Sequence, residues 1–355
     1  MANESPITPY ADILTHFLQD LLPALLALLI PGIFLYLSLY AFAKRWKTAF
    51  VLLSIPTLLG FWMSSYVAPV RCAAFRALLN FAVAAATMKL LDIHALTHTS
   101  SFPTYTAGPK PRPSLMALIL LTELRYESFT PNPIRHPPPP ARPFSASPSL
   151  HQYFYSEATQ LVLHIGSFIF LQMLPQYDSI KALGILHTIW IIWTSIQLLV
   201  RYRTSPPLFG PLYLADSLAT FWTETWHNAF ASPCLSLAYV PTLFLLSHSP
   251  IQIPRAAARG AAVVASFVLM AAFHVYALAP LLSLEGRKRI GVFFVGNGVL
   301  TVLESVVWGR RRHWLRAGMA WGVELALASW TVGAAEVADG VLAVDWRALC
   351  VGSGV

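Results

Sequence analysis

The feature that most constrains this chain is a series of apolar runs about as long as a bilayer is thick. A helix needs roughly 20 mainly apolar residues to cross the hydrocarbon core. Residues 20–43, 49–68, 71–91, 156–174, 179–201, 257–283, 289–308 and 315–338 approach or exceed that length. Two weaker runs lie at 114–124 (SLMALILLTEL) and 231–247 (ASPCLSLAYVPTLFLLS). The first is short for a span and reads as interfacial or re-entrant. The second holds Pro233 and Pro241 and reads as a broken span. The expected fold class is therefore all-α: a polytopic membrane protein of eight to ten transmembrane helices, forming one integral-membrane domain over residues 1–355.

Composition agrees. Of the residues, 56% are hydrophobic and 11% charged, with a mean hydropathy of +0.58, whereas a soluble domain carries about 25% charged residues. The net charge of +8 suits lysines and arginines flanking membrane helices, and no stretch interleaves basic and aromatic residues as a nucleic-acid groove does. Cys72, Cys234 and Cys350 are scattered, with neither metal-ligand spacing nor a disulfide framework. The acidic N-terminal segment MANESPITPYADIL leads into a first apolar run that reads as a retained helix rather than a signal peptide. KRWK at 44–47 places that end of the first helix in the cytosol, while RKR at 287–289 and RRR at 310–312 flank one helix on opposite ends. The polar connections 97–113 and 126–150 are proline-rich, with twelve of the 27 prolines between residues 101 and 150. HPPPP at 136–140 reads as a stiff surface spacer.

Polar residues inside such a chain each call for a reason, because a central Lys or Asp costs roughly 2.5–3.5 kcal/mol on insertion scales. Lys89 and Asp92 sit three apart near the end of a span and can pair on one helix face. His164, His187 and His274 fall near the middle of spans. Each can be a packed core histidine, or a neutral imidazole ready to accept a proton. At His274, SFVLMAAFHVYAL places Ala271 and Ala272 just before the ring, leaving room beside it.

The densest polar cluster is FWTETWHNAF at 221–230. Asp216-Ser217 before it reads as a helix N-cap. On a regular helix Trp222 and Trp226, four apart, share a face that Glu224 and His227 adjoin. Two tryptophans alone suit an interfacial anchor. Glu224, His227 and Asn228 do not, since an anchor uses Lys or Arg; an imidazole or carboxamide suits an oxyanion or a polar carrier linkage.

This segment resembles the signature of the membrane-bound O-acyltransferases, in particular their wax-synthase-like branch: Phe-Trp-x-x-x-Trp-Asn/His after a Ser-Leu pair, here Ser217-Leu218, Phe221-Trp222 and Trp226-His227. The family's second mark, a histidine in a later membrane helix after small residues, is matched by His274. ELRYESFTPNPIR (123–135) and MKLLD (88–92) resemble segments of fungal relatives that acetylate terpenoid or meroterpenoid hydroxyls. The resemblance covers most of residues 80–310.

It implies an O-acyltransferase of the endoplasmic reticulum membrane, moving an acyl group from acetyl-CoA or another acyl-CoA to an apolar hydroxylated metabolite, with no bound cofactor, metal or nucleic acid. His274 would be the general base. His227, or Asn228 beside it, would polarise the thioester or hold the carrier. Phe221, Trp222, Glu224 and Trp226 would line the substrate site. Arg125, Arg135, Arg201 and Arg203 would meet the CoA phosphates at a cytosolic mouth. Many relatives carry Asn at the position of His227, and here Val275 stands where an acidic residue often follows the helix histidine. A wax synthase transferring long chains is the main rival within the class. A proton-coupled transporter is the rival outside it, and the sequence lacks the internal repeat such a carrier would show.

Overall fold

The computed structural model describes residues 8–98, 102–130, 156–200, 207–309, 313–335, 337–340 and 344. Each of the ten apolar runs is helical over most of its described residues. The first three are α1 (Thr8–Ala43), α2 (Lys47–Val67) and α3 (Ala73–His98), followed by the short α4 (Pro113–Thr122). Next come α5 (Glu157–Gln172) and α6 (Asp178–Val200). A short motif helix α7 (Leu218–Thr220) follows, then α8 (Ala231–Ser247), α9 (Arg255–Leu278), α10 (Leu284–Trp308) and α11 (Trp314–Val332). Among the described residues six helices, α1, α2, α3, α6, α9 and α10, are long and apolar enough to cross a membrane. The molecule is an all-α polytopic assembly; its described strands are two residues each, with Thr104 opposite Thr130 and Tyr105 opposite Phe129.

Prolines expected to disrupt helices are accommodated by neighbours. Pro31 inside α1 cannot donate to the carbonyl of Ala27, and the Ser64 hydroxyl of α2 donates to that carbonyl instead, at 2.6 Å. Gly60 lets the two helices close at that point, since a Cβ there would lie 3.1 Å from the Pro31 side chain. The run at 231–247 is likewise unbroken. Pro233 falls in its first turn, Pro241 begins its last stretch, and a π-helical segment (Cys234–Tyr239) lies between them. The expected break is thus absorbed as a widened turn.

α3 is the central helix. Half of its spanning window is buried, against at most 28% for any other span. It packs on α1, α2, α8 and α9. Its start is capped from outside: Asp20 of α1 accepts from the backbone N–H groups of Arg71 and Cys72 at 2.8 and 2.5 Å. By contrast α1 turns Leu18, Leu22, Leu25, Leu26, Leu29 and Ile30 outward, an apolar flank suited to lipid.

Two expectations are corrected here. Cys72 is disulfide-bonded while Cys234 is a free thiol; bridging follows spatial approach, which spacing along the chain did not reveal. Lys89 and Asp92 do not pair with each other at an interface. They are 4% and 0% exposed and turn to separate partners in the segment 123–128. That segment, expected to border a surface loop, is instead inserted among the helices. The HPPPP stretch lies outside the described residues.

Candidate functional site

The site is built on a short, irregular helix. Ser217 caps it as expected, its hydroxyl oxygen accepting from the Thr220 N–H at 3.0 Å. Glu304 of α10 adds a second cap, accepting from the N–H groups of Leu218 and Ala219 at 3.0 and 3.3 Å, while Arg316 of α11 donates to the same carboxylate at 3.2 Å. After one α-turn, Phe221–Thr225 is a π-turn, closed by Trp226 N–H donating to the Phe221 carbonyl at 2.7 Å. Trp226 itself is extended, with φ −79° and ψ 164°.

This overturns the expected shared tryptophan face, because four residues no longer make one turn once the helix widens and stops. Trp226 folds back parallel to Phe221, 5.7 Å between ring centroids. Trp222 points the other way, toward Phe267 of α9 and Phe293 and Phe294 of α10, at 5.4, 6.1 and 5.8 Å. Phe221 and Trp226 are buried, so this is no headgroup anchor. Glu224 is half-buried, and its carbonyl oxygen lies where Gly210 admits close approach: a Cβ at Gly210 would be 3.1 Å from it.

A run of aromatic rings links the two candidate histidines. His227 follows Trp226 on the turn after the π-helix; its ring is 6.3 Å from Phe230, which is 4.7 Å from Phe273, the residue preceding His274. Burial first, then His274 and the Arg125 guanidinium, push the His227 imidazole down to about 3. It is therefore neutral at physiological pH. Its Nδ1 is buried and has no hydrogen-bond partner among the described residues.

The imidazole of His274 is oriented by groups the sequence could not reveal. Its Nδ1 lies 2.8 Å from the Met270 carbonyl. A carbonyl only accepts, so Nδ1 carries the proton and Nε2 keeps its lone pair. The ring stacks on Phe294 at 4.1 Å and 22°. His164 and His187 make the same bond to the carbonyl four residues back, at 2.7 and 2.8 Å. His164 and His274 differ in the ring beneath them: His164 stacks flat on Trp190 at 3.7 Å, His274 on Phe294.

Asn228 and His227 have different fates. The Asn228 carboxamide oxygen accepts from Arg125 Nη1 at 2.9 Å. The same guanidinium donates to the Pro207 carbonyl at 3.0 Å and to Glu127 at 2.9 Å, and Arg125 is 4% exposed. Arg125 thus sits inside the fold, not at a mouth open to a soluble carrier, which corrects the expectation for it. Arg135, Arg201 and Arg203 lie outside the described residues.

Sequence reasoning missed the buried group around Arg125. Lys89 donates to the Glu123 carbonyl at 2.7 Å and sits 3.5 Å over the Tyr126 ring. Tyr126 donates to Asp92 at 2.9 Å, and Asp92 also accepts from Ser232 and Ser236 of α8 at 3.1 and 2.5 Å. Burial raises the Glu123 carboxyl, partly offset by two hydrogen bonds from Ser128, and burial with the Asp92 carboxylate beside it raises the Tyr126 phenol well above its ordinary value. A signal was present: two opposite charges within a span call for polar partners, and ELRYES supplied them. Among the described residues no group of three or more His, Cys, Asp or Glu could hold a metal ion.

Comparison with known proteins adds one match. Residues 205–296 match the model of a family described as the membrane bound O-acyl transferase family. The matched stretch holds Phe221, Trp222, Trp226, His227, Asn228 and His274 and excludes Arg125. No curated protein and no solved structure matches the chain.

Proposed function

We propose that this protein is a membrane-embedded O-acyltransferase that moves an acyl group, acetyl in the first instance, from acyl-CoA to the hydroxyl of an apolar metabolite of terpenoid or meroterpenoid type, in the endoplasmic reticulum membrane. The observation that supports the reading is that the family-matched stretch contains two histidines joined by a run of aromatic rings, one on α9 whose Nδ1 is tied to its own helix and one on the turn after α7 with a buried, unpartnered Nδ1.

In this reading the alcohol oxygen attacks the thioester carbonyl carbon while its proton passes to His274 Nε2. A positioned base of this kind contributes about 10²–10⁴-fold. The new C–O bond forms, the C–S bond breaks, and the leaving CoA thiolate takes the proton back from the imidazolium. His227, rather than Asn228, is the residue that faces the thioester, because the Asn228 oxygen is already engaged by Arg125. The rings of Trp222, Phe273 and Phe294 exclude the water that would hydrolyse the thioester.

Membranes carrying the protein, given labelled acetyl-CoA and a hydroxylated terpenoid, should form labelled ester. His274→Ala should lower the rate by about 10²–10⁴-fold without loss of inserted protein. Activity near the wild-type level in that variant would remove His274 as the base. Palmitoyl-CoA with hexadecanol, run in parallel, separates acetyl transfer from wax-ester synthesis.

A further inference from the structure

The segment 123–128 is more tightly held than a loop between helices needs to be. Glu123 and Arg125 are 3% and 4% exposed and Tyr126 is fully buried. Tyr126 has a φ of 52°, a left-handed conformation that an aromatic residue rarely adopts and that persists only where surrounding contacts over-determine it. Those contacts come from α3 and α8: Lys89 and Asp92 grip the segment from one side, Ser232 and Ser236 complete the Asp92 shell from the other. What this clamp presents to the site is one side chain. Arg125 spreads its guanidinium between Glu127, the Pro207 carbonyl and the Asn228 carboxamide. Asn228 directly follows His227, on a turn that has no regular helix to hold it: Trp226 is extended and the next helix starts at Ala231.

We propose that Arg125 is a positioning residue for His227: through its hydrogen bond to Asn228 it fixes the turn on which the imidazole sits, and the buried loop 123–128 is the clamp that holds Arg125 in place. The role assigned to His227 rests on the acyltransfer reading, but the mechanical coupling from Arg125 to His227 does not. A planar guanidinium suits the task because its forked donors reach three acceptors at fixed angles, which a lysine ammonium on a flexible stem does not do.

The coupling is measured by carbethoxylation of individual histidines with diethyl pyrocarbonate, read by mass spectrometry on the full-length protein in detergent. His227 and the buried His164 of α5 are the probe and the control. Asn228→Ala and Arg125→Gln should each raise modification of His227 by about tenfold, the factor that losing one charge-assisted hydrogen bond allows. The double variant should add little beyond either single change, as expected for one shared contact. Arg125→Lys should fall between Arg125→Gln and wild type. Because Arg125→Gln leaves Glu127 unpaired and can misfold, Arg125→Gln with Glu127→Gln and the single Asn228→Ala keep the question open to refutation.

Unchanged His227 modification in Asn228→Ala overturns the proposal. So does an equal rise at His164, which would mean general loosening rather than a local tie. Acyl transfer measured on the same variants separates the two readings. Wild-type protein without transfer activity sinks the acyltransferase reading and leaves the coupling standing; active protein with an unresponsive His227 sinks only the coupling.

Discussion

Two imidazoles in this molecule are held in different ways by their surroundings. His274 is set by a hydrogen bond to its own helix and by a phenylalanine face. His227 is set by burial, with His274 and Arg125 adding to the cost of a second charge. The depressed value of His227 has a consequence for stability. Between pH 6.5 and about 3 the unfolded chain binds a proton at this residue and the folded chain does not, so the unfolded state gains as pH falls. The contribution is present above the unfolded value and is lost progressively below it. Thermal unfolding in detergent at pH 7 and pH 5 should show a drop in midpoint for the wild type, and a smaller drop for His227→Gln, which has nothing to protonate. An identical pH response in the two proteins would mean that His227 is protonated in the folded state.

At the level of elements, the irregular stretch between α6 and α9 depends on what neighbouring helices lend it. Ser217 caps the motif helix at Thr220 only, and Glu304 closes the N–H groups of Leu218 and Ala219 while Arg316 pairs with Glu304. Glu304→Ala strands a largely buried arginine and frees two backbone donors at once. The expected loss is about 3–5 kcal/mol, the range for breaking one partner of a buried pair, measured as a fall in unfolding midpoint; a change within about 0.5 kcal/mol, typical of surface positions, would show the pair to be solvated. Gly298 tests the packing behind Trp222. A Cβ there would come within 2.7–2.9 Å of the Phe267 side chain, which in turn faces Trp222. Gly298→Ala should therefore displace Phe267 and cost about 1–3 kcal/mol by overpacking, with a change in tryptophan fluorescence reporting the shift at Trp222.

For the whole molecule, the buried polar cluster joins parts of the chain distant in sequence. Asp92 of α3 accepts from Tyr126 of the inserted loop and from Ser232 and Ser236 of α8. Tyr126→Phe removes one donor and leaves the Asp92 carboxylate less satisfied, with an expected loss of about 1.5–3 kcal/mol for a hydrogen bond to a charged group, read as a lowered midpoint of cooperative unfolding. A wild-type midpoint would mean that water takes the place of the Tyr126 hydroxyl at Asp92. The helical framework was legible in the chain because run length and apolarity answer directly to the thickness of hydrocarbon. The histidines were legible because polar residues in such runs are rare enough to stand out. Arg125 was not: a loop residue is expected at the surface, and only packing shows that this loop is drawn inward to meet Lys89 and Asp92. The tryptophan face was misread for a related reason. Helical spacing presumes 3.6 residues per turn, and whether a turn widens depends on partners such as Phe267 and Phe294 on other helices.

By itself, then, the order of residues determined an all-helical membrane body, the position of its helices and the polar side chains that stand out within them, because these follow from local apolarity and from the cost of polar groups in lipid. The Phe294 face beneath His274, the tie from Arg125 to Asn228 and the burial of 123–128 were decided only in three dimensions, because each is a contact between different elements of the chain, and no local preference encodes which of many partners a buried group will meet.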